Sequence, residues 1–88
     1  METGFQRLDK WLWFARLVKS RTLAARLIEE GHVRVNRVKA EKSALTIKPG
    51  DVLTLSLSTQ IRVLRVLNPG TRRGPAPEAR LLYEDVTD

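Results

Sequence analysis

The sequence contains no cysteine and only one histidine, His32, in 88 residues. Without cysteine, disulfide bonds, thiolate metal sites and cysteine nucleophiles are excluded, and a single histidine excludes metal sites built from several imidazoles. No apolar run approaches the roughly 18 residues of a transmembrane helix, and residues 1–6 lack the apolar core of a signal peptide. These absences favour a small soluble protein of the cytoplasm, and we expect no contact with a membrane.

Acidic charge is also scarce, because 16 Lys and Arg oppose 10 Asp and Glu and leave a formal net charge of +6. The excess is local. Ten of the basic residues but only four of the acidic ones lie between residues 7 and 42, so this segment alone accounts for the net charge. A concentrated positive field attracts polyanions, most simply the phosphates of a nucleic acid. An ordinary basic, soluble surface is the alternative that charge alone leaves open.

Hydrophobic periodicity predicts two helices at the start of the chain. Apolar residues at helical spacing predict a first helix from Leu8 to Val18. Ser20 is a good N-cap for a second helix that extends to about Glu30, and Gly31 suits the left-handed position that ends a helix. We expect the two helices to form a compact unit with a short, basic connection.

The remainder of the chain has the alternating pattern of strands and the composition of turns. Val33–Val35, Val52–Leu57 and Ile61–Leu67 are predicted strands, with tight turns at Asn36-Arg37 and at Lys48-Pro49-Gly50-Asp51. Residues 71–77 are predicted to be a mobile basic loop, residues 78–83 a short helical turn, and the acidic end to fray. The predicted fold class is α+β, with two N-terminal helices packed on a small, mainly antiparallel sheet.

Catalytic motifs are missing from this pattern. His32 has no Ser or Cys partner in a recognisable nucleophile motif, and the glycines at positions 50, 70 and 74 do not form a phosphate-binding loop. We therefore expect a protein that is not an enzyme, with no catalytic residues, no cofactor, no metal and no small-molecule substrate.

The basic connection between the helices is the sharper feature. Arg16, Lys19 and Arg21 lie close to the backbone N–H groups at the start of the second helix, where anions bind. Two other features have two interpretations each. Trp13 either stacks on an unpaired base or is covered by residues 81–83, and Arg72-Arg73 is either a phosphate contact or a solvated loop tip.

Several motifs, taken in order, resemble the S4 RNA-binding domain family. They are Arg7-Leu8-Asp9-Lys10-Trp11-Leu12, Ser20-Arg21, Gly31, Val33-Arg34-Val35-Asn36 and Pro49-Gly50-Asp51. Trp13 and the segment Leu81-Leu82-Tyr83-Glu84 are similar to a ribosome-associated heat-shock group of stand-alone bacterial S4 proteins. The resemblance implies that residues 5–68 form an S4-like RNA-binding domain, followed by a basic Pro/Gly loop and a short C-terminal segment at residues 69–88.

The same resemblance implies a partner and a set of contacts. It implies binding to structured ribosomal RNA, on free large ribosomal subunits that hold peptidyl-tRNA, in the rescue of stalled translation. We expect a monomer, with tRNA as a further candidate partner. Together with the charge pattern, the resemblance assigns RNA binding to Arg7, Lys10, Arg16, Lys19, Ser20, Arg21, Arg34, Asn36, Arg37 and Lys39, and secondary contacts to Trp13, Arg72 and Arg73.

The chain departs from the family at two places. Asn36-Arg37 stands where the family commonly has Asn-Gly, so Arg37 either adds a phosphate contact or changes the loop. The last residues are acidic, whereas members of the heat-shock group can carry a long basic extension. Two alternatives remain, a helix-turn-helix DNA-binding protein and an S4 module that targets an RNA-modifying enzyme. The acidic Glu29-Glu30 at the end of the second helix disfavours the first.

Overall fold

Two short helices lead the chain, as the apolar spacing predicts. In the computed structural model, which describes residues 4–87, helix α1 spans Leu8–Phe14 and helix α2 spans Arg21–Glu29. Ser20 caps α2, because its Oγ accepts a hydrogen bond from the backbone N–H of Leu23 at 3.1 Å. The predicted N-cap is therefore confirmed.

The first helix is shorter than predicted, because it ends at Phe14 and not at Val18. Arg16 adopts a left-handed φ of +59°, and the N–H of Leu17 bonds back to the carbonyl of Leu12 at 3.1 Å. This hydrogen bond is part of the reversal that commonly ends a helix with glycine. Because arginine rarely adopts this conformation, the sequence does not indicate a helix end here, and the periodic pattern predicted a helix that is too long.

The second helix ends with the same reversal, but here the left-handed residue is a glycine, which is typical of helix ends. Gly31 has a φ of +86°, and the N–H of His32 bonds back to the carbonyl of Leu27 at 2.9 Å. Glycine adopts this conformation without a steric penalty, which is why the sequence predicted this end correctly.

Five antiparallel strands form the main sheet, in the order β3-β2-β5-β6-β7, and strands β1 and β4 pair separately as a short antiparallel ribbon. The strands are β1 (Gln6–Arg7), β2 (Val33–Val35), β3 (Val38–Lys39), β4 (Thr46–Ile47), β5 (Val52–Ser56), β6 (Ile61–Val66) and β7 (Tyr83–Asp85). The α+β class and the antiparallel pairing are confirmed.

Both predicted tight turns have the expected geometry. Asn36 and Arg37 have φ values of +52° and +73°, as a two-residue hairpin turn requires. At the second turn Gly50 has a φ of +97°, and the N–H of Asp51 bonds to the carbonyl of Lys48 at 3.1 Å. This is the type II geometry that Pro-Gly favours.

The predicted mobile loop at residues 71–77 is instead held against the end of α1. Arg16 donates from Nε to the carbonyl of Gly74 at 2.7 Å, and Arg73 donates from Nε to the carbonyl of Trp13 at 3.0 Å. These contacts join residues about 60 positions apart in the chain, so the local composition of the loop carries no sign of them.

The predicted helical turn is present, but the end of the chain does not fray as expected. Helix α3 (Ala76–Ala79) and a 3-10 turn (Arg80–Leu82) lead into β7, which pairs with β6. Glu84 and Asp85, expected to be frayed, form ion pairs with Arg65 and Arg62 across this pair of strands. Asp88, also expected to fray, lies outside the described residues.

The core lies between the helices and one face of the sheet. The side chains of Leu8, Trp11 and Leu12 from α1 and of Ala24 and Ile28 from α2 are fully buried there. They pack with the apolar inner residues of the sheet, which include Val33, Leu53, Leu55, Leu64 and Val66. Within residues 4–87, no helix is long and apolar enough to span a membrane.

Candidate nucleic-acid interface

The buried carboxylate of Asp9 connects the starts of the two helices. Arg7 donates to it twice, from Nε to Oδ1 at 3.0 Å and from Nη2 to Oδ2 at 2.9 Å. Arg21, the first residue of α2, brings its Nη2 to 3.6 Å from Oδ2. We call Arg7, Asp9 and Arg21 the arginine clamp. It brings two of the predicted RNA-binding residues onto one carboxylate.

Local structure explains why Asp9 occupies this position. Arg7 is extended and immediately precedes α1, so Asp9 lies in the first turn of the helix. Its Oδ1 accepts the backbone N–H of Lys10 at 2.7 Å, at the helix end where negative charge is favourable. Sequence reasoning did not foresee that the same carboxylate also holds two arginines.

The electrostatics of the clamp keep Asp9 ionised. Burial raises the pKa of this carboxyl group, but the hydrogen bonds from Arg7 and from the Lys10 backbone, with the positive charges of Arg7 and Arg21, lower it more. The net result is a pKa of Asp9 below its ordinary value. The same contacts raise the pKa of Arg7, chiefly through the hydrogen bond to Asp9.

The clamp leaves positive charge available to a ligand. The side chains of Arg7 and Arg21 are 45% and 41% exposed, whereas that of Asp9 is 6% exposed. Two cations share one anion, so the cluster keeps an excess positive charge. The planar donor set of a guanidinium group matches phosphate oxygens. A pair of arginines held at a fixed position can therefore bind a phosphate with little loss of side-chain freedom.

A second basic group lies on the hairpin formed by β2 and β3. Arg34 and Lys39 are cross-strand partners, and Arg34 donates from Nη1 to the carbonyl of Arg37 at a long 3.5 Å. All three side chains are exposed. The left-handed φ of Arg37 keeps the tight turn although glycine is missing. The turn thus retains its geometry and presents an additional cation.

Asn36, another predicted RNA contact, uses its amide group inside the protein. Its Nδ2 donates to Asp51 Oδ1 at 3.0 Å, and its Oδ1 accepts the N–H of Val52 at 2.9 Å. Asp51 also accepts the backbone N–H of Lys48 at 3.0 Å. Asn36 therefore fastens the hairpin to the next turn, and its role as an RNA contact stays a prediction.

A third basic group lies at the opposite end of α1. The side chain over the half-buried ring of Trp13 is Arg73, whose Cζ is 5.6 Å from the ring centroid. Residues 81–83, which the sequence suggested as a cover, are placed differently: Tyr83 packs edge-on to Trp11 at 6.3 Å, and Leu81 is 70% exposed. Arg16 and Arg73 both bond to backbone carbonyls here.

The remaining predicted contacts are distributed around these groups. Lys19 is exposed immediately before Ser20, the cap of α2, and Lys10 is half-buried beside Asp9. Arg72 forms a two-pronged ion pair with Glu78, with distances of 2.7 and 3.1 Å. The structure thus joins Arg7 with Arg21, and Arg34 with Arg37 and Lys39, but it does not place Arg16 and Arg73 with either group.

The role of Asp9 is the feature that sequence reasoning missed. A detectable signal existed, because an Arg-x-Asp motif at a helix start is followed by an arginine directly after the Ser cap of the next helix. The tertiary packing of the two helices brings these positions together only in three dimensions. The helical pattern by itself assigns Asp9 to the solvent-facing side of α1. It therefore does not predict that this carboxylate is buried and pairs with two arginines.

Comparison with known proteins finds relatives along most of the chain. The chain is 40% identical over 82 residues to Heat shock protein 15 of Escherichia coli, an alignment that covers 93% of this chain and 61% of that protein. It is 35% identical over 85 residues to the RQC P-site tRNA stabilizing factor of Listeria innocua, covering 93% and 91% of the two chains. The chain spans about three fifths of the length of its heat-shock relatives.

Solved structures show the same fold. A structure described as trimeric Heat Shock Protein 15 of Vibrio cholerae superposes with a TM-score of 0.87 at 35% identity, covering 93% of this chain and 82% of that one. The monomer expected for this chain stays a prediction. The sequence model of the S4 domain matches residues 6–53, which include α1, α2, the β2–β3 hairpin and all three residues of the arginine clamp. The chain therefore belongs to the S4 domain family.

Proposed function

We propose that this chain is a non-catalytic RNA-binding protein that binds structured ribosomal RNA on the large ribosomal subunit. The form of the subunit that it binds still holds peptidyl-tRNA. The protein thus acts in the rescue of stalled translation, in the cytoplasm. Two groups of relatives support this proposal by their names, one as heat shock proteins and one as a factor that stabilises tRNA in the P site.

The arginine clamp is the observation that carries the proposal. Two guanidinium groups from separate elements lie on one buried carboxylate and stay more than two fifths exposed. A purely structural ion pair needs one arginine for one carboxylate. The second cation leaves the cluster with a net positive charge, which a bound anion would neutralise. A phosphate of the RNA backbone supplies that anion.

The other predicted contacts divide into two roles under this proposal. Direct phosphate contacts are assigned to the residues with exposed charge, namely Arg7, Lys10, Lys19, Arg21, Arg34, Arg37 and Lys39. Residues that bond within the protein have supporting roles: Ser20 and Asn36 position this surface, and Arg16 holds the loop at residues 71–77. Trp13, Arg72 and Arg73 are secondary contacts, because their side chains already have partners. Arg73 lies over the ring of Trp13, and Arg72 pairs with Glu78.

Co-sedimentation with purified ribosomal subunits tests the proposal. We expect the protein to pellet with large subunits that carry peptidyl-tRNA at low salt, and to dissociate as the salt concentration rises, because bound counterions are released from RNA. Arg7→Ala with Arg21→Ala should abolish pelleting at intermediate salt. Arg65→Ala is the matched control, because Arg65 is also 45% exposed and ion-paired, but on the β6–β7 edge.

A folded protein that fails to pellet with large subunits at low salt would overturn the ribosomal assignment. Competition between duplex DNA and hairpin RNA separates the proposal from a helix-turn-helix. The structure disfavours DNA reading by α2, since Arg21 faces Asp9 and Arg26 lies 3.9 Å from Glu30. Preference for the duplex DNA would nevertheless contradict the proposal.

A further inference from the structure

The apolar face of the main sheet extends beyond the part that the helices cover. Val35 is the cross-strand partner of Leu53 on one side and of Val38 on the other, so these side chains share one face. Leu53 is fully buried in the core, whereas Val38, on the edge strand β3, is 68% exposed. A large apolar side chain on the core face of a sheet ordinarily has a cover.

The uncovered end of the sheet forms one wall of a groove. The segment from Ala40 to Lys48, which includes β4, forms the other wall of this open groove, whose volume is about 600 Å³. Leu45 contributes a second exposed apolar side chain, 40% exposed, opposite Val35 and Val38. A volume of this size is within the range of small-molecule sites, so the groove has room for one nucleotide.

Charged side chains line the rim of the groove with a positive balance. Lys39, Lys42 and Lys48 oppose Glu41 and Asp51. Asp51 is already satisfied, because it accepts hydrogen bonds from Asn36 and from Lys48 Nζ at 3.0 and 3.1 Å. Among residues 4–87, Lys42 is exposed and forms no ion pair. Aliphatic walls with cations at the rim fit a planar base that packs against apolar side chains and is attached to a phosphate.

The groove is continuous with the proposed RNA-binding surface at both ends. One end is the turn at Asn36, next to Arg37 and the hairpin cations. At the other end Thr46 lines the groove and pairs with Arg7 of the arginine clamp. An RNA strand that contacts both basic groups therefore passes over the groove.

We propose that this groove receives an unpaired nucleotide of the bound RNA, with its base against Val35, Val38 and Leu45 and its phosphate near Lys42. The inference rests on the proposed function and adds a preference to it. Phosphate contacts alone carry no information about pairing, whereas a site for one extruded base selects RNA with a bulge or loop.

Two hairpin RNAs test the inference. They share the same tightly structured tetraloop, whose bases are stacked, but the stem of one is fully paired and the stem of the other has a single-nucleotide bulge that contains 4-thiouridine. We expect the wild-type chain to bind the bulged hairpin about tenfold more tightly, because the base buries apolar surface in the groove. Irradiation should crosslink the bulged base to the segments at residues 35–48.

Val38→Thr reduces the apolar surface of the groove and keeps a β-branched residue on the strand. It should remove most of the preference for the bulge, and affinity for the paired hairpin should not change. Ile61→Thr is the matched control, because Ile61 is a β-branched strand residue with 59% exposure and does not line the groove. We expect it to leave the preference intact.

The outcomes separate this inference from the proposed function. Failure of the folded protein to bind either hairpin at low salt would contradict RNA binding itself. Equal affinity for the two hairpins, or a preference that Val38→Thr leaves unchanged, would overturn the groove proposal alone. Crosslinks confined to residues outside 35–48 would also overturn it, and a protein segment would then be the alternative occupant of the groove. If Val38→Thr does not fold, the crosslink pattern of the wild-type chain still decides.

Discussion

The two ends of helix α1 use arginine in opposite ways. At its start, Arg7 and Arg21 share the carboxylate of Asp9 and remain more than two fifths exposed. At its end, Arg16 and Arg73 donate to the backbone carbonyls of Gly74 and Trp13. The first pair shares an ionic partner, whereas the second pair bonds to neutral carbonyls, keeps its full charge and closes a loop onto the helix. The acceptor, and not the residue type, differs between the two ends.

The largest expected effect comes from removing the charges at the start of α1. Arg7→Ala with Arg21→Ala should weaken binding to structured ribosomal RNA roughly 30-fold at low salt and reduce the slope of log affinity against log salt by about two. Fluorescence anisotropy over a salt series measures both quantities. Arg16→Ala with Arg73→Ala is the counterpart at the other end of α1, and we expect less than about a threefold change there. Equal losses for the two double variants would erase the contrast between the two ends.

The second effect concerns Asp9, the carboxylate that pairs with both arginines at the start of α1. Asp9→Asn keeps the shape of the side chain but leaves two arginines without an anion, so it should lower the free energy of unfolding by about 2 kcal/mol. It should also weaken RNA binding about threefold, despite the added net positive charge, because Arg7 and Arg21 lose their common anchor. Tighter binding by Asp9→Asn would show that net charge outweighs the position of the arginines.

The same variant has a signature in acid. The folded-state pKa of Asp9 lies below its ordinary value of 3.8, so its contribution to stability is complete above that value and is lost as the pH falls through the folded pKa. Wild-type stability should therefore fall below about pH 4, and Asp9→Asn should fall less steeply over that range. Denaturant titrations at several acidic pH values measure the difference. Asp51 and Asp85, whose pKa values are also lowered, the latter to about 2, account for the acid sensitivity that persists.

Local patterns predicted the parts of this fold that depend on local chemistry. The Ser20 cap, the left-handed Gly31 and the Pro49-Gly50 turn are each defined by residue types whose backbone preferences are strong. The end of α1 escaped prediction because Arg16 adopts a glycine-like conformation. A contact with Gly74, 58 positions away, accompanies that conformation. The predicted mobile loop was wrong for the same reason, since long-range hydrogen bonds hold it.

The candidate site divides along the same line. Charge and helix position selected Arg21 as a candidate phosphate contact, and the family resemblance added Arg7 and the hairpin cations. They were not enough to distinguish these from Arg16 and Arg73, because all are basic residues near element ends in the sequence. The partner of each guanidinium group depends on which carboxylate or carbonyl the tertiary fold brings to it. That information lies in the pairing of distant segments and not in spacing along the chain.

A smaller effect is expected from the neighbours Arg72 and Arg73. Arg73→Ala removes a hydrogen bond to Trp13 and the contact over its ring, so we expect a loss of about 1.5 kcal/mol in unfolding free energy. Emission from Trp13 should shift to longer wavelength as the ring becomes more exposed, while Trp11 stays buried. Arg72→Ala, which removes only the exposed pair with Glu78, should change neither quantity measurably. A red shift in Arg72→Ala alone would reverse the assignment of the two arginines.

The smallest effect dissects the end of α1 at a single residue. Arg16→Ala loses the hydrogen bond to Gly74 and keeps a side chain in the left-handed region, so it should lose about 1 kcal/mol of stability. Arg16→Gly loses the same bond but regains about 1 kcal/mol, because glycine adopts the φ of +59° without strain. We therefore expect Arg16→Gly to unfold near the wild-type denaturant midpoint and Arg16→Ala below it. If the two variants are equally destabilised, the left-handed conformation of Arg16 stores no strain. The hydrogen bond to Gly74 would then be the whole contribution of this arginine to stability.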